Sequence, residues 1–593
     1  MGRAKATASF DEVPDRAQHE RSGGFLAAGA VTSSQDWLDP YLRALGQRDP
    51  LLAHRLCLPV DGSHVQPGPD GRLTLTVQQS RHPLALPLEA ARAIAAHAPR
   101  PGATEPPEIF VFGAGAGELA EVWLAPGRAA RVTVWDRDPW MLRLTLERAD
   151  FSAALVAGRL RLSLGSDLFA ELPALARSSV VSHPLLAQIY RNERLLLEAA
   201  DSALGRPRAL ICAGGLFVDD VADALRDAGH AVFTLDAGRL AIEELALTVE
   251  KTEPRLIAAI NYTEGLGEFC AGVNVPLLCW EIDPSMRRLQ VAATPPRTTR
   301  VFTYRRAHVD DFHAAGFPHV EFLPLASSPQ RRARPAAPLD AKYRVAVAFV
   351  GASLADRVAP LRAEFLAAYE AFHAGTGAAN PAATRAEGGA LFDELLARQR
   401  LDFSVYSIPP DLEAREPGLR AAGLQPGALD VAQVAAELAA GEKRLAYVAA
   451  LAARTEVGID VWGDPGWDIP GSGVRYHGSA GHFVELNKIY SGAQINIDIG
   501  RLYQMDIVTM RVFDVLSCGG FLLAERCEAL LELFEPGVHL DVYRDRDELV
   551  DKVAFYLARP ALAARMAEAG RALVHERHSL QQRVRHMLAT LGE

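Results

Sequence analysis

The chain has 593 residues, too many for one hydrophobic core, and a prior of about 150 residues per domain predicts three or four units. Hydrophobic residues make up 49% and charged residues 23%, as in ordinary globular proteins, and the net charge of −11 argues against a general nucleic-acid-binding protein. Apolar stretches fall short of the roughly 20 residues of a membrane span, and the N-terminus lacks a signal-peptide core, so we expect a cytoplasmic protein.

The cysteines are expected to be buried free thiols. They lack the CxxC or CxH spacing of a metal site, and several lie in apolar runs, which argues against metal ligands and a disulfide framework. The six positions are Cys57, Cys212, Cys270, Cys279, Cys518 and Cys527.

The N-terminal sixth of the chain shows little organisation. Residues 1–35 are predicted to be flexible, and residues 36–100 to form an α+β segment. Within that segment, alternation predicts a strand at 71–79, and apolar periodicity predicts an amphipathic helix at 87–98. The Pro-rich stretch 99–108 is typical of a linker.

Residues 101–205 are predicted to form a Rossmann-like unit, because strands alternate with helices there. The predicted strands are 109–112, 131–136 and 159–165. Gly113, Gly115 and Gly117 lie between the first strand and a helix, where glycines let a ligand approach the backbone and the helix N-terminus favours an anion. Asp136 ends the second strand, and an acid at that distance suits a ribose diol.

The G-x-G-x-G spacing resembles that of S-adenosylmethionine-dependent methyltransferases, which implies that Asp167 lies near the adenine. Two features depart from that pattern: Val111 stands where the family usually has an acid, and no Asn-Pro-Pro-Tyr motif follows. Three interpretations stay open. The loop is a tight strand–helix turn in a domain that has lost its chemistry, it binds a nucleotide-like ligand, or it supports methyl transfer with S-adenosylmethionine as cofactor.

Two further units follow, at 206–335 and 343–593, with a Pro- and Arg-rich linker at 327–342. The chain is therefore predicted to be α/β, with three Rossmann-like units, the last two forming a GT-B arrangement with an interdomain cleft. Parallel sheets bind ligands beyond the carboxyl ends of their strands. The candidates in such positions are Gly214, Gly215, Asn261, Tyr262, Glu264, Glu281 and Asp283 in the first half, and Gly351, Ser353, Gly463, Asp464, His477 and residues 505–525 in the second.

Several separated segments resemble the CgeB-like, or spore-maturation-protein-like, group 1 glycosyltransferases of GT-B fold. These segments are 278–284 ("LCWEIDP"), 313–326, 347–353 ("VAFVGAS"), 486–499 and 510–549. The resemblance covers roughly 206–580, and it identifies the first half as an acceptor domain and the second as a donor domain. The unit at 101–205 resembles methyltransferase-like domains that are sometimes fused in front of such enzymes.

The resemblance assigns roles to the charged residues around 510. Group 1 retaining transferases carry a Glu-x7-Glu pair, and Asp506 and Asp514 stand at the matching places. The resemblance implies that Asp506 faces the hydroxyls of the donor sugar and Asp514 the ribose. Arg511 suits the diphosphate because its guanidinium fork matches phosphate oxygens. Two ordinary alternatives stay open: Arg511 and Asp514 form a surface i,i+3 pair, and Asp506 is a helix N-cap.

Other donor-site candidates follow from the same comparison. Gly519 and Gly520 would let the backbone pass close to the donor, and Glu532 corresponds to the acid of a Gly-Gly-x-Pro-Glu loop. Gly351, Ser353 and Arg357 could contribute amides, a hydroxyl and charge to the phosphates; His477 is a donor-binding candidate with a structural role as the alternative. An inverting enzyme would also need a base, for which Glu264, Glu281 and Asp283 are candidates.

The predicted function is transfer of a sugar from a nucleoside-diphosphate-sugar, linked to UDP, dTDP or GDP, to a hydroxyl of a protein or glycan. Flagellin, spore coat and surface polysaccharide are acceptors by family association only. No metal is expected, because no Asp-x-Asp signature stands in a suitable loop. A nucleotide-sugar epimerase, a bifunctional glycosyltransferase and methyltransferase, and a scaffold without turnover remain as alternatives.

Overall fold

The computed structural model describes residues 38–592 except 69–70, 78–79, 98–105, 176–177, 283–296, 376–380, 411–430, 470, 472 and 482–483. The predicted flexible segment 1–35 and the candidate Asp283 therefore lie outside the described residues. Of the helices described, none combines the length and the apolar character needed to cross a membrane.

The chain begins with a small α+β segment. Its strands form an antiparallel sheet and are β1 (Val65–Pro67), β2 (Leu73–Val77) and β3 (Ser80–Pro83). Its helices are α1 (Asp39–Gly46), α2 (Pro50–Arg55) and α3 (Leu88–His97). Both elements predicted in this segment are confirmed: β2 lies inside the predicted 71–79, and α3 matches 87–98 within one residue at each end.

The second unit is a parallel sheet with strand order β6-β5-β4-β7. Its strands are β4 (Glu108–Phe112), β5 (Arg131–Asp136), β6 (Leu160–Leu164) and β7 (Ser179–Ser182). Its helices are α4 (Glu118–Leu124), α5 (Pro139–Arg148), α6 (Ser152–Val156), α7 (Leu168–Leu175), α8 (Leu186–Ile189), α9 (Arg191–Glu198) and α10 (Ala200–Ala203). The three predicted strands are present; β7 was missed because its four residues, Ser-Val-Val-Ser, hold only two apolar residues. We call residues 38–205 the N-terminal unit.

The next six strands form a parallel sheet in the order β13-β12-β11-β10-β8-β9, which we call the middle lobe (206–326). They are β8 (Arg208–Cys212), β9 (Ala231–Leu235), β10 (Leu256–Ile260), β11 (Leu277–Glu281), β12 (Thr299–Thr303) and β13 (Val320–Phe322). Its helices are α11 (Val218–Asp227), α12 (Ile242–Thr252), α13 (Leu266–Gly272) and α14 (Ala307–Ala314). The strands β8, β10 and β11 read as continuous apolar runs because both faces of the sheet are covered there.

The C-terminal lobe (343–592) has a second six-stranded parallel sheet, in the order β16-β15-β14-β17-β18-β19. Its strands are β14 (Val347–Val350), β15 (Ile459–Trp462), β16 (Val474–Tyr476), β17 (Ile495–Ile497), β18 (Leu522–Glu525) and β19 (Asp541–Tyr543). Its helices are α15 (Ala355–Gly375), α16 (Pro381–Leu401), α17 (Val431–Arg454), α18 (Val484–Gly492), α19 (Met510–Ser517), α20 (Glu528–Leu533), α21 (Arg546–Leu557), α22 (Pro560–Arg577) and α23 (Leu580–Ala589).

The units share hydrophobic cores. One core is continuous from the N-terminal unit to one face of the middle lobe, where the rings of Phe169 and Phe233 lie 5.8 Å apart. The opposite face of the middle lobe shares its core with the C-terminal lobe, and α23 packs against α11. Arg583 on α23 donates to the carbonyls of Pro324 at 2.8 Å and Leu325 at 3.2 Å, which fixes the returning helix to the middle lobe. Two parallel sheets joined in this way confirm the predicted GT-B arrangement.

Candidate functional site

The carboxyl edges of the two six-stranded sheets face one cleft, which is bridged by ion pairs of Arg305 and Arg306. Arg305, just after β12, contacts Asp506 in the loop after β17, with 2.7 Å between Nε and Oδ2. Its neighbour Arg306 pairs with Glu532 on α20. Parallel sheets bind ligands beyond these edges, so the cleft is where a substrate site is expected.

Arg511 lies at the centre of the carboxyl edge of the sheet in the C-terminal lobe. It pairs with Asp498, which follows β17, and its guanidinium lies 5.2 Å from the ring centre of Phe349. A Cβ on Gly351 would stand 3.0 Å from Nη2 of Arg511, so the glycine gives the guanidinium its space. The predicted alternative, a surface pair with Asp514, is wrong: Arg511 is 16% exposed, and its partner is Asp498.

Two further arginines, which sequence reasoning missed, converge on the same place. Arg444 on α17 is 7% exposed and donates to the carbonyls of Ala352 at 2.8 Å and Ile499 at 3.3 Å. Arg501 lies 3.5 Å from Glu437. Arg444 could have been suspected, because it falls at i, i+3, i+4 and i+7 with the buried Tyr447, Val448 and Leu451, on a stripe where a charge is unusual.

The charges of this arginine cluster (Arg444, Arg501 and Arg511) do not cancel. Asp498 pairs with Arg511 and Glu437 with Arg501, whereas Arg444 has no carboxylate partner among the described residues, and its Nε makes no hydrogen bond within them. Burial, with the like charges of Arg511 and Arg501, lowers the pKa of Arg444 to about 9. A buried cation without a counter-ion is costly, so the site favours an anion.

Asp506 lies at the mouth of the cleft with its side chain 43% exposed. It is not a helix N-cap, since Thr509 occupies that position at the start of α19. The predicted N-cap alternative is therefore wrong, and the carboxylate is instead held across the cleft by Arg305. Glu532 is similarly half exposed on α20.

Asp514 is placed differently from its predicted position at the donor ribose. Its side chain is 6% exposed, and it accepts hydrogen bonds from the hydroxyl of Ser327 and from Nε of Arg332, both at 2.8 Å. Ser327 and Arg332 belong to the interdomain linker. Asp514, three positions after Arg511 on α19, therefore points away from the cleft and anchors the linker.

Gly519 and Gly520 also serve packing rather than an approach to the donor. Their amides donate to the carbonyls of Leu516 at 2.8 Å and Val515 at 3.0 Å, and they terminate α19 with Gly519 at φ +70°. A Cβ on Gly519 would collide with the guanidinium of Arg334, and one on Gly520 with the carbonyl of Tyr490. The close neighbour that both glycines accommodate is the protein itself.

Ser353 is fully buried, and its hydroxyl bonds to Asp464, so it is not open to a phosphate as predicted. Its amide also donates to Asp464 at 2.7 Å, and its Oγ accepts from the amide of Ala355 at 3.1 Å, at the start of α15. The intervening Leu354 has φ +69°, a left-handed conformation that this network holds in place. The side chain of Arg357 lies outside the described residues.

His477 follows β16 and has the surroundings of a structural residue. Its Nε2 lies 2.7 Å from Oδ1 of Asp460, and its ring stacks on Trp462 with 4.4 Å between ring centres. Asp460 is buried beneath it and also binds Arg475. With 28% of its side chain exposed, His477 borders the cleft, but both ring contacts are internal.

The candidate bases of the middle lobe differ in how far they are buried. Glu281, at the end of β11, is 3% exposed and accepts a hydrogen bond from the amide of Tyr262. Asn261, at φ +63°, accepts from the amide of Ile282 at 2.9 Å. Glu281 therefore holds the turn after β10 instead of facing the cleft as an open base, whereas Glu264 on the same turn is exposed.

The glycine loop of the N-terminal unit is filled by the protein's own groups. Asp136 is fully buried; it accepts from the amide of Ala114 at 2.7 Å and from the hydroxyl of Tyr190 at 2.7 Å. A Cβ on Gly115 would lie 2.6 Å from the ring of His183. Both oxygens of Asp136 already accept hydrogen bonds from the protein, so its carboxyl group is not open to a ribose diol, and burial raises its pKa to about 7.

Residues 84–86, just before α3, cover the same glycine loop. The carbonyl of Leu84 lies 3.0 Å from Nε2 of His183, and the amide of Leu86 donates to Glu118 at 3.1 Å. A Cβ on Gly113 would lie 2.7 Å from Leu186. Of the glycines predicted to approach a ligand, Gly113 thus meets Leu186 of α8, Gly115 meets His183, which follows β7, and Gly117 meets the ring of Phe151.

Asp167 belongs to a buried ion network instead of a cleft. It pairs with Arg55 of α2 at 2.6 Å and with Lys251 of α12. Arg55 is 1% exposed and is also gripped by both oxygens of Glu244, at 2.8 and 2.7 Å. The predicted adenine-side acid therefore joins the N-terminal unit to the middle lobe.

Cysteines and possible metal ligands complete the picture. All six cysteines are free; four are buried, while Cys57 is exposed and Cys527 is partly so. The described part of the chain contains no group of three or more His, Cys, Asp or Glu side chains that could hold a metal ion.

Comparison with known proteins bears on the C-terminal lobe. Residues 444–589 match the family described as glycosyl transferase-like. The match covers less than half of the chain and spans Arg444, Arg501, Asp506 and Arg511. This part of the protein is therefore glycosyltransferase-like in sequence. No curated protein sequence matches the chain.

Several solved structures resemble the protein at low identity. HepE from Anabaena, in complex with UDP and glucose, is 14% identical, covers 65% of this chain and 99% of its own, and has a TM-score of 0.35. A glycosyltransferase from Rickettsia africae ESF-5 is 10% identical over 65% and 98%, with a TM-score of 0.40. The T4 phage protein BGT, in complex with UDP and Mn²⁺, is 10% identical over 65% and 98%, with a TM-score of 0.35. Identities and TM-scores this low do not indicate which residues of this chain form a site.

Proposed function

We propose that the protein transfers a sugar from a nucleoside-diphosphate-sugar to a hydroxyl group of a protein or glycan. The observation that carries the proposal is Arg444, a guanidinium that is 7% exposed at the carboxyl edge of the C-terminal sheet and has no carboxylate partner among the described residues. The glycosyl transferase-like match of residues 444–589 supports it independently.

The arginine cluster lies where two central strands end. β14 and β17 are neighbours in the sheet, and Arg444 bonds to carbonyls that follow each of them, while Arg511 lies beside Gly351. A diphosphate brings more than one negative charge to a cluster in which Arg444 pairs with no carboxylate of the described residues. It would accept charge-assisted hydrogen bonds from guanidinium groups that are already in place.

Such an arrangement suits the leaving group of sugar transfer. As the glycosidic bond to the donor breaks, negative charge grows on the diphosphate, and prearranged cations stabilise it without reorganisation. Asp506, half exposed at the same edge, is the candidate for a sugar hydroxyl, and Glu264 is the exposed candidate for a base in the middle lobe. A CgeB-like subgroup, metal-independent chemistry and a surface glycan or protein acceptor remain parts of this proposal.

The test is calorimetric titration of UDP, dTDP and GDP into the wild-type protein and two variants. Arg444→Gln should weaken the best nucleoside diphosphate by about 30-fold or more, since it removes a charged donor worth about 2 kcal/mol. Arg454→Gln is the matched control, because Arg454 lies on the same helix in an exposed pair with Asp547. Equal affinities for the two variants, with both folded by circular dichroism, would contradict the proposed diphosphate site.

Product analysis separates the proposal from the epimerase alternative. A transferase releases free nucleoside diphosphate from a nucleotide-sugar in proportion to acceptor added, whereas an epimerase yields a second nucleotide-sugar. Chromatography of the nucleotide fraction with and without acceptor glycans distinguishes the two outcomes.

A further inference from the structure

Arg305 reaches across the cleft and holds one loop of the C-terminal lobe at two points. Its Nε lies 2.7 Å from Oδ2 of Asp506, and its Nη2 donates to the carbonyl of Tyr503 at 3.2 Å. Arg305 itself is fixed at the end of β12, where its amide and carbonyl both contact the hydroxyl of Thr303 at 3.3 Å. The middle lobe thus presents a preset guanidinium to the opposite lobe.

The loop that Arg305 holds leads into the arginine cluster. It starts after Asp498, carries Arg501, and ends at Thr509, two residues before Arg511. Within it, the hydroxyl of Tyr503 donates to Glu437 at 2.6 Å, and Glu437 also pairs with Arg501. Glu437 therefore holds Arg501 and the side chain of Tyr503 in place without Arg305, so the loss of Arg305 falls on Asp506.

We infer that Arg305 is a positioning residue supplied by the middle lobe: it orients Asp506 so that this carboxylate engages the donor sugar when the lobes are closed. The inference rests on the proposed function, and adds to it a residue outside the donor-binding lobe. Arg305 bonds a single oxygen of Asp506, in a carboxylate that remains 43% exposed, so the group is oriented without being withdrawn from the cleft.

Orientation matters here because Asp506 stands on a loop. A carboxylate that must be ordered when the sugar arrives loses side-chain freedom at that moment, and that cost weakens binding. The ion pair with Arg305 orders the carboxylate of Asp506 before the sugar arrives, so less side-chain freedom is lost on binding. The benefit falls on ligands that carry the sugar, not on the nucleoside diphosphate, whose phosphates meet the arginine cluster.

The neighbouring Arg306 provides an internal comparison. Its pair with Glu532 is solvated, with side chains 57% and 50% exposed, against 22% for Arg305. Its guanidinium also lies 4.1 Å from the ring centre of Phe322 in its own lobe. An exposed pair of this kind contributes little, so we expect Arg306 to matter less.

The test compares affinities for UDP and UDP-glucose, or for dTDP and dTDP-glucose or GDP and GDP-mannose if one of those bases binds best. Arg305→Gln should weaken the nucleotide-sugar by about five- to tenfold and leave the nucleoside diphosphate within about twofold. Arg305→Lys should recover part of the loss. Arg306→Gln, the matched control, should stay within about twofold for both ligands.

A double-variant cycle separates positioning from simple destabilisation. If Arg305 acts through Asp506, Arg305→Gln should have no further effect in the Asp506→Asn background. Additive losses, equal losses for UDP and UDP-glucose, or an unchanged affinity for both would overturn the inference while leaving the proposed function standing. A wild-type protein that binds none of the nucleoside diphosphates would overturn both.

Discussion

The N-terminal unit and the C-terminal lobe both place glycines at the carboxyl edge of a parallel sheet, yet they use the space beyond the edge in opposite ways. In the N-terminal unit, His183, Tyr190 and the segment 84–86 cover the glycine loop and Asp136. In the C-terminal lobe, Gly351 makes room for Arg511, beside a buried Arg444 with no carboxylate partner among the described residues. Glycines after a strand thus indicate that something approaches closely, and the surrounding chain decides whether it is a ligand or the protein itself.

The largest loss of stability is expected at the carboxyl edge of the N-terminal sheet, where the protein's own side chains cover the glycine loop. Gly115 has φ +58° and its Cβ position lies 2.6 Å from His183, so Gly115→Ala should lower the free energy of unfolding by about 3–4 kcal/mol through backbone strain and overpacking. Gly127→Ala shares the left-handed backbone, at φ +84°, but meets open space and should cost about 1–2 kcal/mol. Urea denaturation measures both; equal losses would mean that the His183 ring moves aside freely.

The next effect is expected at the ligand edge. Asp498→Asn removes the carboxylate that pairs with Arg511 and should lower the free energy of unfolding by about 2–3 kcal/mol. Added UDP should then raise the melting temperature more than it does in the wild type, because the diphosphate supplies the missing negative charge.

Asp547→Asn is the control for this change, since its partner Arg454 is exposed and distant from the cluster. A smaller UDP-induced shift in Asp498→Asn than in the wild type would contradict a diphosphate site at the arginine cluster.

A smaller effect concerns pH at the carboxyl edge of the N-terminal sheet. Burial lowers the pKa of His183 to about 4 from 6.5, so the unfolded chain binds a proton below pH 6.5 that the folded protein does not accept until about pH 4. His183 therefore removes stability as the pH falls through this window, by about 1 kcal/mol at pH 5.5. Asp136, whose pKa burial raises to about 7, acts in the opposite direction.

Comparison with a variant isolates the histidine from that opposing group. His183→Gln keeps a donor for the carbonyl of Leu84, so the stability advantage of the wild type over this variant should shrink by about 1 kcal/mol between pH 7.5 and 5.5. Denaturation curves at the two pH values measure it. A constant difference would mean that His183 has the same pKa in the folded protein as in the unfolded chain.

S-adenosylmethionine is expected to have no effect on stability. S-adenosylmethionine should leave the melting temperature of the wild type unchanged at concentrations where the best nucleoside diphosphate raises it, because the glycine loop and Asp136 are already occupied. A shift with S-adenosylmethionine that Gly115→Ala abolishes would break the comparison and return the bifunctional alternative.

Strand patterns were readable from the sequence, and the missed elements have simple causes. The continuous apolar runs of β8, β10 and β11 identify buried parallel strands because both of their faces are covered. β7 and β12 were missed: "SVVS" and "TRVFT" are short and carry polar residues that the covering elements bury. Of the site, the carboxyl-edge positions of Gly351, Asp506 and Arg511 could be read from strand order, since loops after parallel strands meet at one edge.

What the sequence by itself determined is the α/β architecture and the edge at which charged residues gather, because these follow from local periodicity. Only the tertiary structure decided which charges face the cleft. Asp514 turns to the linker, Asp498 pairs with Arg511, and Arg444 arrives from α17, more than 50 residues before the loop that it contacts. Partners so far apart in the chain are chosen by packing, and burial then decides whether a charge is neutralised by the protein or is left for a ligand.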